Sequence, residues 1–244
     1  STWLLMLLPN LEQINVYDNY DFTKNAFHVD NQPVTSLSLE IFGCPSDTSG
    51  RRFNFTEVGN FAKGNYAACY SADDSWSSDD FQEAKPWKPP TDTTERKDTA
   101  AFNPGGQYGA AIQEIRDGTT NVIVLSEILT APSENDVRGA WAHPGGCGFG
   151  GDKGAMIPNG NALDDDFRDL PPYCAEAEFN GDTQLRCVDG NNEPQSSIAA
   201  RSRHPGGVVA VRGDGSVTFI RDTIDTEVWR RMLAIGDGLV VSEL

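Results

Sequence analysis

Two short β-rich runs, GVVAV at Gly207–Val211 and SVTFI at Ser216–Ile220, flank the tetrapeptide RGDG within the stretch HPGGVVAVRGDGSV, His204 to Val217. A turn-former with glycine where positive φ is needed, set between two such runs, constrains the chain to an antiparallel hairpin. DTEVWRRMLAIGDG follows. Asp225 is placed to cap a helix, Val228, Trp229, Met232 and Leu233 form an apolar stripe, and Gly236 supplies a stop. A hairpin followed by a helix therefore closes the fold.

The same stretch pairs a histidine with an aspartate, so His204 and Asp214 invite a catalytic reading. If RGDG forms the hairpin tip, His204 sits at the far end of its strand and the two lie about 30 Å apart, far beyond proton-transfer reach. Separate structural roles follow. Asp214 bonds the turn backbone, Gly215 takes the unusual φ, and His204 with Gly206 and Gly207 sets the entry to the strand. HPGG recurs at His143–Gly146, a second loop corner, and two such histidines can meet across a sheet to hold a metal. RGD at Arg212–Asp214 is explained by its turn rather than by adhesion.

Upstream, PNLEQINVYD (Pro9–Asp18) reads as a short amphipathic helix with Pro9 in its first turn. SLSLEIFGCPSD alternates at Leu37, Leu39 and Ile41 as a strand does before CPSD stops it, and NYAACYS (Asn65–Ser71) is a second strand candidate. Ile112 and Ile115 fit a helical turn, and VIVLSE (Val122–Glu127) has the continuous apolar character of a strand buried on both faces. Two stretches lack any period. Residues 72–103 and 139–195 are rich in Asp, Asn, Ser, Gly and Pro and read as insertions in a single domain spanning 1–244.

With 19 basic and 36 acidic residues the net charge is −17. Such a surface repels phosphate backbones and anionic lipids, which argues against nucleic-acid partners and polybasic membrane docking. No segment approaches the roughly 18 apolar residues of a membrane helix, and WLLMLLP (Trp3–Pro9) is too short and lacks the basic flank of a signal peptide. The chain opens on Ser, so the expectation is a processed or shortened form. Five cysteines are irregularly spaced without a Cys-x-x-Cys pair, which argues against a zinc ribbon. In an exported chain two disulfides and one free thiol are expected, with Cys44–Cys69 and Cys174–Cys187 the preferred pairs; five reduced thiols are the alternative.

No nucleophile elbow, P-loop, dinucleotide fingerprint or His-Glu-x-x-His helix is present. A hydrolase would need His204 or His143 beside carboxylates in a cleft. Carboxylates in LDDDF, chiefly Asp164 and Asp166, offer oxygen ligands for calcium without matching EF-hand spacing; no other cofactor is expected. Trp76, Trp87 and Trp141 are the candidates for stacking on a ligand, against the commoner role of pinning loops.

Taken in order, WLLMLLPNLEQINVYDNYDF, CPSD, GNYAAC, IRDGTTNVIVLSE, SRHPGGVVAVRGDGSVTFI and DTEVWRRMLA resemble the planctomycete family of unknown function 1559, whose members are type IV pilin-like. The His, nine residues, Asp-Gly signature at His204 and Asp214 is the most specific piece. The resemblance implies an exported, pseudopilin-like α+β domain: an antiparallel sheet with C-terminal hairpin and helix and long loop insertions; such proteins also carry a long apolar N-terminal pilin helix, which is expected to be absent from this sequence. It further implies a non-enzymatic extracellular or cell-envelope structural subunit, assembling with itself or other pilin-like subunits, with membrane attachment only through the missing helix. An exported solute- or glycan-binding module is the alternative.

Overall fold

The apolar opening of the chain folds into several short helices instead of one. The structure is a computed structural model that describes residues 1–55, 59–72, 99–103, 108–150, 157–160, 169–174, 182–188 and 197–239. α1 (Trp3–Leu7) is capped by the Thr2 hydroxyl, which accepts the Leu5 N–H. A 3-10 turn over Leu8–Leu11 ends at Glu12, whose φ of 60° breaks the rise, and α2 (Ile14–Asp18) restarts it. The single helix expected over Pro9–Asp18 is thus cut at Glu12, leaving Val16 buried and Ile14 exposed. α3 (Gln32–Thr35) follows.

The strand expected at 37–41 does not form: the chain makes a 3-10 turn over Glu40–Phe42 and leaves Leu37 and Ile41 exposed. The Leu37 carbonyl, which a ladder would require, instead accepts the indole N–H of Trp141 at 3.0 Å. Phe42 carries the burial.

β1 (Arg52–Phe55) and β2 (Gly59–Ala62) form an antiparallel hairpin. β3 (Tyr66–Ser71) realises the NYAACYS strand. β4 (Phe102–Asn103) and β5 (Tyr108–Gly109) make a short separate ladder. β6 (Ile123–Glu127), β7 (Gly148–Gly150), β8 (Gly207–Arg212) and β9 (Val217–Arg221) join β3 in a five-stranded sheet of order β7-β3-β6-β8-β9. All its pairs are antiparallel except β7 with β3, which is parallel. The molecule is therefore α+β, with β6 central as its apolar run demands.

α4 (Thr226–Leu233) closes the chain as the sequence leads one to expect. The Asp225 carboxylate accepts the N–H groups of Glu227 and Val228 at 2.9 and 3.1 Å. Trp229, Met232 and Leu233 are buried against the sheet, in a core with Ala68, Ile123, Val208 and Ile220. The helix stops at Leu233, ahead of Gly236. A second core gathers α1, α2 and β2 around Trp141. Among the described residues no helix is long and apolar enough to cross a membrane.

Residues 73–98 of the first expected insertion lie outside the described residues. The second expected insertion begins too early: 139–150 is core rather than decoration, since β7 joins the sheet and Ala140, Trp141, Cys147 and Phe149 are fully buried. Its Gly-rich composition hid the strand because glycine lacks the side chain that makes a β pattern visible.

Cys174 and Cys187 form the expected disulfide. The Cys44–Cys69 pair does not form; both thiols are free and buried. Cys69 faces the Ser71 carbonyl at 3.4 Å on β3, whereas Cys44 lies against His204, so the two sulfurs have different surroundings. Removing the native bridge with C174S/C187S should cost about 3 kcal/mol, as closing a loop of this size restricts the unfolded chain. Urea denaturation of the oxidised wild type against the double variant measures it, and equal midpoints would refute the estimate.

Candidate functional site

Three side chains from distant segments converge at one end of β6. Cys44 comes from the CPSD loop, Glu127 is the last residue of β6, and His204 lies in the loop leading into β8. His204 Nε2 stands 3.1 Å from Glu127 Oε1 and 3.6 Å from Cys44 Sγ, and the three ligand atoms all lie within 4.8 Å of one another. Cys44 and Glu127 are buried, while the His204 side chain is 34 % exposed. Solvent thus reaches the cluster from the imidazole side.

Each member is held by its own scaffold. Glu127 Oε2 accepts the Val209 N–H at 2.7 Å, tying the carboxylate to β8. Tyr66 lies directly across the β3–β6 ladder from Glu127; burial pushes its phenol pKa up, and the charges of Cys44 and Glu127 add to the rise. The His204 N–H donates to Ser202 Oγ at 3.1 Å, and that hydroxyl donates to the Gly207 carbonyl at 2.8 Å. The Cys44 N–H donates to Asn65 Oδ1 at 2.9 Å, and Asn65 Nδ2 donates in turn to Asp47 Oδ2 and the Ile128 carbonyl.

Asp47 completes this support. Burial alone would raise its pKa, but hydrogen bonds from Thr130, Ser49 and Asn65 hold the carboxyl below its ordinary value. Arg51 spans the loop, donating to the carbonyls of Cys44 and Asp47 and to Asn65 Oδ1. The CPSD turn is therefore fastened to β3 and to the chain leaving β6 before Cys44 meets His204.

The arrangement is convergent rather than sequential. A nucleophilic relay uses the two ring nitrogens of histidine separately, one toward the nucleophile and one toward the orienting carboxylate. Here sulfur and carboxylate both approach Nε2. His204 does sit beside a carboxylate, as a hydrolase would need, yet the geometry is that of donor atoms around a common point.

The other sequence candidates fall elsewhere. Asp214 is at the hairpin turn, accepting the Ser216 N–H and hydroxyl at 2.9 and 2.7 Å, and Gly215 has φ of 84°. At Gly207 a Cβ would meet the Ile220 carbonyl oxygen at 2.0 Å, so β8 and β9 approach more closely there than any side chain permits. Gly206 also adopts positive φ, at 84°. His143 does not join His204. It is buried within a ring of Phe27, Phe53, Phe61 and Tyr173, its Nδ1 accepting the Gly145 N–H at 3.0 Å.

Trp141 cannot stack on a ligand: it is fully buried, packed on Phe42, with its indole N–H donated to Leu37. Trp76, Trp87, Asp164 and Asp166 lie outside the described residues. A second group of metal-capable atoms, Asp136 with Cys174 and Cys187, offers no thiolate because its sulfurs are joined.

Sequence reading missed Glu127, which was absorbed into an apolar strand, and Cys44, which was assigned to a disulfide. A signal was present. CPSD, GNYAAC, the SE that ends IRDGTTNVIVLSE, and SRHPGG are motifs that carry the family resemblance, and they supply Cys44, Asn65, Glu127 and His204 to this one place.

Fold and cluster together define an α+β protein with a mixed-donor cluster where its central strand meets the C-terminal hairpin. Residues 1–227 match the family model described as Protein of unknown function (DUF1559), and the chain belongs to that family. Neither the curated proteins nor the solved structures provide a match.

Proposed function

We propose that the chain is the globular part of an exported, non-enzymatic, pilin-like structural subunit of the cell envelope or cell exterior, assembling with copies of itself or with other pilin-like subunits. The observation that carries this reading is β9, the edge strand of the five-stranded sheet among the described residues. Among the described residues β9 pairs with β8 alone, and its outward residues Val217 and Phe219 are 67 % and 49 % exposed. They stand directly across from the half-buried Val211 and Val209, so one face of the hairpin presents four apolar side chains beside a backbone edge that no described strand covers. Edges of this kind are ready templates for another chain. The Cys174–Cys187 disulfide suits an oxidising compartment outside the cytosol.

Electron microscopy and light scattering of the full-length protein from its own host test the proposal. Ordered assemblies are expected for the wild type, and V217K/F219K is expected to yield monomers with an unchanged melting temperature. Finding only monomers of the wild type in the native envelope fraction would overturn it.

A further inference from the structure

We propose that Cys44, Glu127 and His204 form a binding site for a divalent transition metal of the zinc class, with an open fourth position on the exposed side of His204. Three observations lead there. The first is stoichiometry of bonding: a single imidazole nitrogen serves one hydrogen-bond partner well, as donor or as acceptor, yet Nε2 faces both Glu127 Oε1 and Cys44 Sγ. A cation placed between the three donors satisfies all of them at once.

The second is distance. Tetrahedral zinc, with bonds of about 2.0–2.1 Å to N and O and about 2.3 Å to S, sets its nitrogen and oxygen ligands about 3.3 Å apart and its nitrogen and sulfur ligands about 3.6 Å apart. The structure has 3.1 Å and 3.6 Å for the same atom pairs. The third pair, Cys44 Sγ with a Glu127 oxygen, lies within 4.8 Å, and closing on one ion draws the carboxylate and the sulfur to about 3.6 Å.

The third is charge and softness. One thiolate and one carboxylate balance a divalent cation, so two buried ligands accept the metal without leaving net charge in the interior. Sulfur and imidazole select borderline and soft ions over calcium and magnesium, which require oxygen ligands. The Val209 N–H, donating to Glu127 Oε2, is the outer-shell partner that orients the ligating carboxylate. On binding, the Cys44 sulfhydryl proton is released to solvent and the sulfur–metal bond takes its place, so affinity falls on acidification. The ion would join the CPSD loop, the end of β6 and the entry to β8, making the site a structural clamp with one exchangeable position.

The experiment uses the full chain, reduced under conditions that keep the Cys174–Cys187 bridge, stripped with a chelator and titrated with Zn²⁺ by calorimetry and with Co²⁺ by absorption. The wild type is expected to bind one equivalent, to show the thiolate-to-cobalt charge-transfer band with intense visible bands of tetrahedral geometry, and to melt at higher temperature when loaded. C44S should lose the charge-transfer band, and both C44S and H204N should weaken Zn²⁺ by at least about 100-fold, since outer-shell changes alone cost 10- to 100-fold. E127Q keeps an acceptor for Val209 and should weaken binding while preserving the fold. C69A and C147A should retain the cobalt spectrum, and unchanged circular dichroism of metal-free H204N separates ligand loss from unfolding. A charge-transfer band that survives C44S, or the absence of stoichiometric Zn²⁺ binding by the wild type, would sink the assignment.

Discussion

R138A is expected to lower the unfolding free energy by about 3–5 kcal/mol, the usual cost of removing one partner from a buried charge network. Arg138 is almost wholly buried, and its guanidinium donates to Asp136 through Nε and Nη2, to Asp169 through Nη1, and to the Leu185 carbonyl. Burial alone would disfavour its charge, but Asp136 and Asp169 more than restore it. Asp169 in turn accepts from Arg201 and from the Ala199 N–H, so among the described residues Arg138 and Arg201 share the carboxylate of Asp169. Truncation takes the guanidinium away from buried Asp136 and leaves Asp169 with Arg201 and the Ala199 N–H. R138M, which fills most of the volume without the charge, should lose a similar amount if charge is the cause. Denaturant titration measures both, and a loss below about 1 kcal/mol in R138A would mean that water already reaches the network.

The second large effect is acid sensitivity centred on His143. Burial in its aromatic ring lowers the imidazole pKa from 6.5 to about 3. The folded state therefore keeps His143 neutral while the unfolded chain protonates near pH 6.5. The stability this group contributes is fully present above pH 6.5, falls by about 1.4 kcal/mol for each pH unit below it, and stops falling near pH 3. H143F, matched to the surrounding rings, should flatten the acid limb of a stability–pH profile between pH 6 and 4. Its neutral-pH stability should drop modestly, because the Gly145 N–H loses its acceptor. Identical slopes for wild type and variant would assign the acid limb to other groups.

These residues show where sequence reading reaches and where it stops. The C-terminal hairpin and α4 were legible because turn chemistry, β-branched runs and an N-cap aspartate all act locally. The 37–41 segment misled because its alternation was real but its backbone partner was a tryptophan side chain from a hundred residues away. The buried cations were invisible: Arg138, Arg201 and Lys63 look like ordinary surface charges in sequence, yet Lys63 Nζ is enclosed against the Ala131 and Ser133 carbonyls, and burial lowers its pKa to about 8. The cluster at the end of β6 was half legible. His204 stood out by its motif, but its distance from Asp214 closed the catalytic reading without naming Glu127 and Cys44, since nothing in linear spacing pairs positions so far apart.

That remoteness has a consequence for how the chain reaches its native state. The Cys44–His204 and Glu127–His204 contacts join residues 160 and 77 positions apart. Contacts of such span form only after large loops have closed, which slows folding and places them late. During synthesis the CPSD turn emerges long before the segment bearing His204, so its thiol spends the early life of the chain uncovered. Docking of the His204 loop completes the contacts around its sulfur, and the rate at which Cys44 becomes resistant to an alkylating reagent is expected to follow that step.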